Sequence, residues 1–173
     1  MNNTIVRNII RFILFLLLQC LVLKGVDLSI GEFDYLHIII YHLFILLLPL
    51  NMPRWSILIA AFVMGLSVDL FYDSPGLHAS ASVFTAYLRK SVLQFLEPQG
   101  GYNINEIPSL FHFDVSWIII YTSILTFAHL VWYFSMQAFS FVFFFDIVLN
   151  TIFSFIISII FLMIYQFIIR PKY

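Results

Sequence analysis

The stretch GLSVDLFYDSPGLHASASVFTAYLRK, Gly65 to Lys90, interrupts an otherwise apolar sequence with acids, a turn and small residues. An aspartate such as Asp69 costs about 2.5 to 3.5 kcal/mol at the centre of a membrane helix, so its presence here needs a structural or functional reason. Pro75 and Gly76 predict a turn, because proline cannot continue a helix and glycine accepts left-handed dihedral angles. The stretch therefore predicts a helical hairpin with a polar apex.

The spacing within this hairpin predicts close contact between its two helices. Gly65, Asp69 and Asp73 are four residues apart and would share one face of a continuous helix. Small side chains after the turn would let the second helix approach that face backbone to backbone. These small residues are Ala79, Ser80, Ala81, Ser82 and Ala86.

The composition is that of a membrane protein. Hydrophobic residues make up 62% of the chain and charged residues 10%, and the mean hydropathy is +1.02, outside the range of soluble domains. The net charge is −1 and no basic cluster exceeds two residues, which argues against binding to nucleic acid. We therefore expect the lipid bilayer to be the main surroundings of the chain.

Six apolar segments predict an all-α membrane protein with one domain, residues 1–173, in which each segment crosses a hydrocarbon core of about 30 Å. The fourth segment contains Arg89 and Lys90, whose side chains we expect to snorkel to water. Residues 97–114 predict an ordered loop or a short interfacial helix, because they contain several turn formers. The predicted spans are 5–23, 36–50, 55–72, 76–96, 115–138 and 143–169.

The basic residues predict the orientation, since cytoplasmic loops are enriched in Lys and Arg. With six spans and a cytoplasmic N-terminus, seven basic residues fall inside and only Lys24 falls outside. Both termini are then cytoplasmic. The seven inside residues are Arg7, Arg11, Arg54, Arg89, Lys90, Arg170 and Lys172.

The last span carries Asp146 and Asn150 one turn apart, on the same helix face. Such a face should turn towards another helix, because polar side chains in lipid lack partners. We therefore expect Asp69 and Asn150 to meet in the interior of the bundle. These polar residues favour a structural role, with a transport path or ligand pocket as the alternative.

The sequence does not favour an enzyme. The histidines do not have the spacing of metal ligands, and the serines lack the motif that surrounds a catalytic nucleophile. A phosphate-binding glycine loop is also missing from the sequence. We accordingly predict no catalytic residue, no metal site and no cofactor. The five histidines are His37, His42, His78, His112 and His129.

One pattern resembles a known family. It runs from Gly65-Leu66-x-x-Asp69-Leu70 through a small turn ending in Gly76-Leu77 to an Ala/Ser-rich helix that closes with Tyr87-Leu88-Arg89. This pattern resembles the rod shape-determining protein MreD family, and Asn150 in the last apolar helix is similar to that family's last span. The chain length, the six predicted spans and the cytoplasmic termini agree over essentially the whole chain.

The resemblance implies a non-enzymatic scaffold of the bacterial cell-elongation (rod shape) complex in the cytoplasmic (inner) membrane. Its implied partners are an MreC-like bitopic protein, the RodA/PBP2 peptidoglycan synthase and, indirectly, MreB filaments. MreD proteins are also similar in arrangement to the S components of energy-coupling-factor transporters. The chain departs from the family at Asp73 and Pro75 in the turn, and in a basic tail of only Arg170 and Lys172.

The alternative function is that of a substrate-binding membrane subunit of a small-molecule (vitamin) importer. Such a subunit would need a polar cavity of ligand size that opens outward. Asp69, Asp73, His78 or the acids of the outer loop would then contact the solute.

Overall fold

The computed structural model of the chain describes residues 2–25, 36–103, 106–139 and 144–169. Within these ranges the chain is helical and contains no strand. A π-helical turn, Leu18–Val22, and a 3-10 turn, Leu23–Gly25, extend the first helix. The helices are α1 (Asn2–Leu17), α2 (Leu43–Leu46), α3 (Arg54–Tyr72), α4 (Leu77–Phe95), α5 (Val115–Ala138) and α6 (Phe144–Ile169).

Four helical stretches are long and apolar enough to cross a membrane: Ile5–Gly25, Arg54–Tyr72, Val115–Ala138 and Phe144–Ile168. Helix α4 has 19 residues and is long enough, but its polar residues keep it out of this group. The predicted all-α class is confirmed, and the four apolar helices are consistent with a membrane protein. The predicted basic tail, Arg170 and Lys172, lies outside the described residues.

The predicted close hairpin is confirmed between α3 and α4. A Cβ atom added to Gly65 would lie 2.5 Å from the carbonyl oxygen of His78 and 2.7 Å from the amide nitrogen of Ala79. Real Cβ atoms do not approach other heavy atoms so closely, so only glycine allows this separation of the two backbones. Helix α4 then packs against α5, and α5 packs against α6.

The turn of the hairpin begins at the residue that the sequence predicted. Helix α3 ends at Tyr72, and Asp73 adopts a left-handed conformation with φ of 53° as the residue after the helix. Its backbone N–H donates to the carbonyl of Asp69, which closes the helix end. Asp73 therefore lies in the turn, outside the helix face that Gly65 and Asp69 share. Gly76, with φ of 85°, precedes the first turn of α4.

The second predicted span, residues 36–50, is not a continuous helix, and only Leu43–Leu46 is helical. We call residues 36–50 the core segment, because every residue from 38 to 49 is buried. A non-helical backbone leaves peptide groups without helical partners, so at this depth it needs hydrogen bonds from surrounding protein. Apolar content alone predicted a helix here and did not reveal those partners.

Two pairs of contacts give the direction of the core segment. Its start binds Gln19 of α1's extension through Ile40, and its end binds Arg11 of α1 through Leu47. The core segment therefore runs antiparallel to α1. Tyr41 and Leu48 contact α4 at His78 and at Arg89, respectively, so the segment runs parallel to α4 through the middle of the bundle.

The loop between α4 and α5 is ordered in its described residues, as the sequence predicted. The hydroxyl of Tyr102 donates to the carbonyl of Leu93 at 2.8 Å, and the indole N–H of Trp117 donates to Leu96 at 2.9 Å. Both carbonyls belong to the end of α4, where the helix itself offers no donors. The loop is thereby attached to the end of the bundle.

Candidate functional site

Asp69 of α3 binds the beginning of α4. Its Oδ1 atom accepts hydrogen bonds of 2.9 Å from the backbone N–H of His78 and from the hydroxyl of Ser74. Its Oδ2 atom accepts one of 2.9 Å from the N–H of Ala79. The first N–H groups of a helix have no partners within it, and a carboxylate there also interacts favourably with the helix dipole. Asp69 is only 4% exposed, so these bonds compensate for its burial.

The ring of His78 completes this arrangement. Its Nδ1 atom lies 2.9 Å from Asp69 Oδ1 and 3.0 Å from the Ser74 oxygen. A carboxylate oxygen only accepts hydrogen bonds, so Nδ1 carries the proton that points to Asp69. Both partners contact the same ring nitrogen, whereas a serine nucleophile and its acid bind opposite nitrogens of the histidine. The three residues therefore do not form a catalytic triad.

A second buried histidine, His129 of α5, joins the core segment to α4. Tyr41 lies 3.0 Å from its Nε2 atom, and Thr85 lies 2.8 Å from its Nδ1 atom. The Thr85 hydroxyl donates to the carbonyl of Ala81 at 2.8 Å, so its oxygen must accept from His129. This sets the tautomer: Nδ1 of His129 donates, and Nε2 accepts from the Tyr41 hydroxyl.

A third histidine, His42, stacks on His129 with 4.6 Å between ring centroids, and its Nε2 atom lies 2.9 Å from Thr126. The sequence did not predict that His42, His78 and His129 would be buried close together. They come from three separate elements: α4 packs against α5, and the core segment places Tyr41 against His78 and His42 against His129. Among the residues described, no group of three His, Cys, Asp or Glu is placed to hold a metal ion.

Serines of α6 bind the start of the core segment. Ser154 accepts from the backbone N–H of His37 at 3.0 Å, and Ser158 accepts from that of Ile39 at 3.0 Å. The two serines lie one turn apart, so they match alternate residues of the non-helical chain. Their hydroxyls take the place of the missing helical acceptors.

Gln19, in the extension of α1, binds the same region from the other side. Its Oε1 atom accepts from the N–H of Ile40 at 2.9 Å, and its Nε2 atom donates to the carbonyl of Ile38 at 3.0 Å. The same nitrogen lies 3.1 Å from the hydroxyl of Tyr72. A glutamine inside an apolar span is the sequence signal for this backbone contact.

Arg89 binds the end of the core segment, and the expectation that it snorkels to water is wrong. It is 2% exposed, and its guanidinium donates to the carbonyl of Leu48 and to the hydroxyl of Tyr121. Tyr121 in turn donates to the carbonyl of Leu46 at 3.1 Å. The carbonyls after a short helix lack donors of their own, which explains why a buried cation is favourable here. Lys90, by contrast, is exposed.

Asp146 and Asn150 lie elsewhere in the bundle, and the expected contact between Asp69 and Asn150 is wrong. The Asn150 amide donates to the carbonyl of Asp146 at 2.9 Å. Both residues line a cavity of about 410 Å³ between α5 and α6. Within the described part of the chain, the Asn150 side-chain oxygen has no hydrogen-bond partner. Asp69 does not reach this cavity because α4 already occupies both of its oxygens.

The remaining predicted residue, Tyr87, is on the surface. It is 56% exposed, and the guanidinium carbon of Arg54 lies 4.5 Å from its ring centroid. The hairpin thus brings together Gly65, Asp69 and Gly76, whereas Tyr87 lies apart from them.

No family model matches this chain, and comparisons with curated proteins and with solved structures gave no significant match.

Proposed function

We infer that this chain is a membrane scaffold of the MreD kind, which acts through protein packing and not through chemical turnover. In this proposal it crosses the bacterial cytoplasmic membrane six times, with both termini in the cytoplasm. It would bind an MreC-like bitopic protein and the RodA/PBP2 peptidoglycan synthase, and act indirectly on MreB filaments. The proposal combines the sequence resemblance with the observation that the buried polar side chains, such as Asp69 and Arg89, hydrogen-bond to other parts of the same chain.

The observation that carries the proposal is the bonding of Asp69. Both of its oxygens are occupied by α4 and the turn, and it is buried from solvent. A proton carrier or catalytic acid must exchange with solvent or substrate, and a solute-binding acid must face a cavity. An acid that instead closes a helical hairpin supports a structural role.

Geometry also supports the six crossings. A helix of 15 residues covers about 22 Å, but residues 36–40 lie outside any helix or turn, and such a chain covers up to about 3.3 Å per residue. The core segment can therefore reach further than a helix of the same length towards the about 30 Å of a bilayer core. Arg11 and Arg89 bind the neighbouring carbonyls of Leu47 and Leu48. Two of the seven cations expected inside thus lie at the same end of the bundle.

The proposal is tested by purifying the tagged protein from its native membranes in mild detergent. Mass spectrometry would identify both the proteins and the small molecules that co-purify. We expect a single-span coiled-coil protein together with a peptidoglycan synthase. Recovery of an ATPase module or of a stoichiometric vitamin would overturn the scaffold proposal.

The cavity of about 410 Å³ favours the importer subunit as a second candidate function. Beside Asn150, its polar lining includes His37 and Gln137, and the ring of Phe134 forms part of its wall. Small-molecule sites combine aromatic or apolar walls with a few polar groups that orient the ligand, and this cavity offers both kinds of lining. If this candidate is correct, the small molecule will be absent from the purified Asn150→Leu variant. The scaffold proposal expects the same protein partners for both forms.

A further inference from the structure

A groove lies at the end of the bundle where α4 ends and α5 begins. It encloses about 540 Å³ and is formed by the loop between these helices together with the first turn of α5. Its aromatic and titratable lining residues are Tyr102, Glu106, His112, Phe113, Asp114 and Trp117. The backbone carbonyl of Glu106 accepts from the N–H of Leu50 at 3.1 Å, so the groove adjoins the end of the core segment.

Three aromatic rings line the groove in fixed positions. Phe113 and Trp117 stack with 4.2 Å between their centroids, and Tyr102 meets them edge-on at 5.7 and 6.0 Å. The polar atoms of Tyr102 and Trp117 are bound to α4 through Leu93 and Leu96. Burial raises the pKa of Tyr102 to about 12, so its hydroxyl keeps the proton that it donates. The groove is therefore formed before any partner binds.

The charge of the groove is negative. Glu106 is half-buried and Asp114 is exposed, and both line it. The titratable groups among its described lining residues are these two acids, His112 and Tyr102, and none of the lining residues is Lys or Arg. Carboxylates attract cations, and the faces of aromatic rings attract them as well.

We propose that this groove binds a Lys- or Arg-bearing segment of a partner membrane protein, next to that partner's span. The inference rests on the proposed function, which puts the loop on the cytoplasmic side. Segments that flank membrane spans on that side are enriched in Lys and Arg, so they complement the acids. The chain of stacked rings continues from Trp117 to Tyr121 at 4.9 Å, which links the groove to Arg89 and the core segment.

The test uses the full chain in nanodiscs of zwitterionic lipid, so that the bilayer itself does not attract cations. The probe is a fluorescent peptide of eight residues with four lysines, and its control has glutamine at those four positions. We compare wild type with the double variant Glu106→Gln/Asp114→Asn, which keeps the groove but removes its charge. Asp73→Asn is the matched control, because it removes an exposed acid from the hairpin turn at the opposite end of α4.

We expect saturable binding of the lysine peptide that weakens with salt and falls roughly fivefold or more in the double variant. The glutamine peptide should not bind, and Asp73→Asn should bind like wild type. Equal binding by all three proteins, or no saturable binding, would overturn the inference. The inference would also be overturned if a lipid amine co-purified with wild type and with Asp73→Asn but not with the double variant, because the acids of the groove would then bind a lipid. These assays do not depend on the native complex, so they can fail while the purification supports the scaffold.

Discussion

Asp69 and Gly65, one turn apart on α3, both contact Ala79 of α4. The Oδ2 atom of Asp69 accepts from the N–H of Ala79 at 2.9 Å, and the missing side chain of Gly65 makes room for the backbone of the same residue. Close approach and a charged hydrogen bond thus depend on each other. Without the glycine the amide could not come so near, and without the acid the start of α4 would lack an acceptor.

Replacing Asp69 with leucine should therefore destabilise the hairpin strongly. It leaves the N–H groups of His78 and Ala79 buried without an acceptor, at a cost of about 3 kcal/mol or more. Asp69→Asn keeps one oxygen and the size of the side chain, so it should lower the free energy of unfolding by less than Asp69→Leu does. Thermal unfolding in detergent, followed by fluorescence-detected size exclusion, measures both variants. Equal melting temperatures for Asp69→Leu and wild type would contradict this account.

The same substitution has a consequence in cells if the scaffold proposal is correct. Cells that carry Asp69→Leu as the only copy should lose their rod shape or lose the assembled complex. Microscopy and a partner pull-down provide the readouts. Normal rods with normal amounts of complex would count against the proposed function.

Gly65→Ala should also be destabilising, by about 1 to 3 kcal/mol, because the new methyl group overlaps the backbone of Ala79 and His78. Gly25→Ala is the matched control, since a Cβ atom there would meet no atom of the described residues within 4 Å. The melting temperature of Gly65→Ala should be clearly lower than that of Gly25→Ala. If they were the same, the close approach of α3 and α4 would not be the reason for the glycine.

Ser158→Ala tests whether α6 supports the core segment. The change leaves the buried N–H of Ile39 without its acceptor, which should cost about 1 to 3 kcal/mol. The matched control is Ser67→Ala, because the hydroxyl of half-buried Ser67 donates a solvent-exposed hydrogen bond to the carbonyl of Val63 in its own helix. Protease sensitivity near residues 36–50 should rise in Ser158→Ala and stay at the wild-type level in the control.

The hairpin could be predicted from sequence because its signals are local. Gly65, Asp69 and the Pro75-Gly76 turn lie within twelve residues, and their spacing is that of one helix and one turn. The core segment could not be predicted from its own residues, because apolar content does not distinguish a buried non-helical chain from a span. Its signals were Gln19, Ser154 and Ser158, which lie in other elements.

The polar cluster was missed for a related reason. His42, His78 and His129 are far apart in sequence, and no periodicity connects them. Arg89 was misinterpreted because a cation near a helix end usually reaches water, whereas here its guanidinium donates inward to the buried carbonyl of Leu48. In both cases the deciding partner belongs to the core segment: the side chains of Tyr41 and His42 for the cluster, and the carbonyl of Leu48 for Arg89.

Arg89→Leu should accordingly be one of the more damaging single changes in the bundle. It leaves the carbonyl of Leu48 and the oxygen of Tyr121 without the donor that each now has from Arg89, at a cost of about 2 to 4 kcal/mol. Arg89→Lys should recover only part of the lost stability, since an ammonium lacks the planar, forked set of N–H donors of a guanidinium. Lys90→Leu, at an exposed neighbouring position, removes the same charge without removing a buried donor. Its melting temperature should therefore stay close to wild type, and an equal loss in Arg89→Leu and Lys90→Leu would show that charge alone matters at this end of α4.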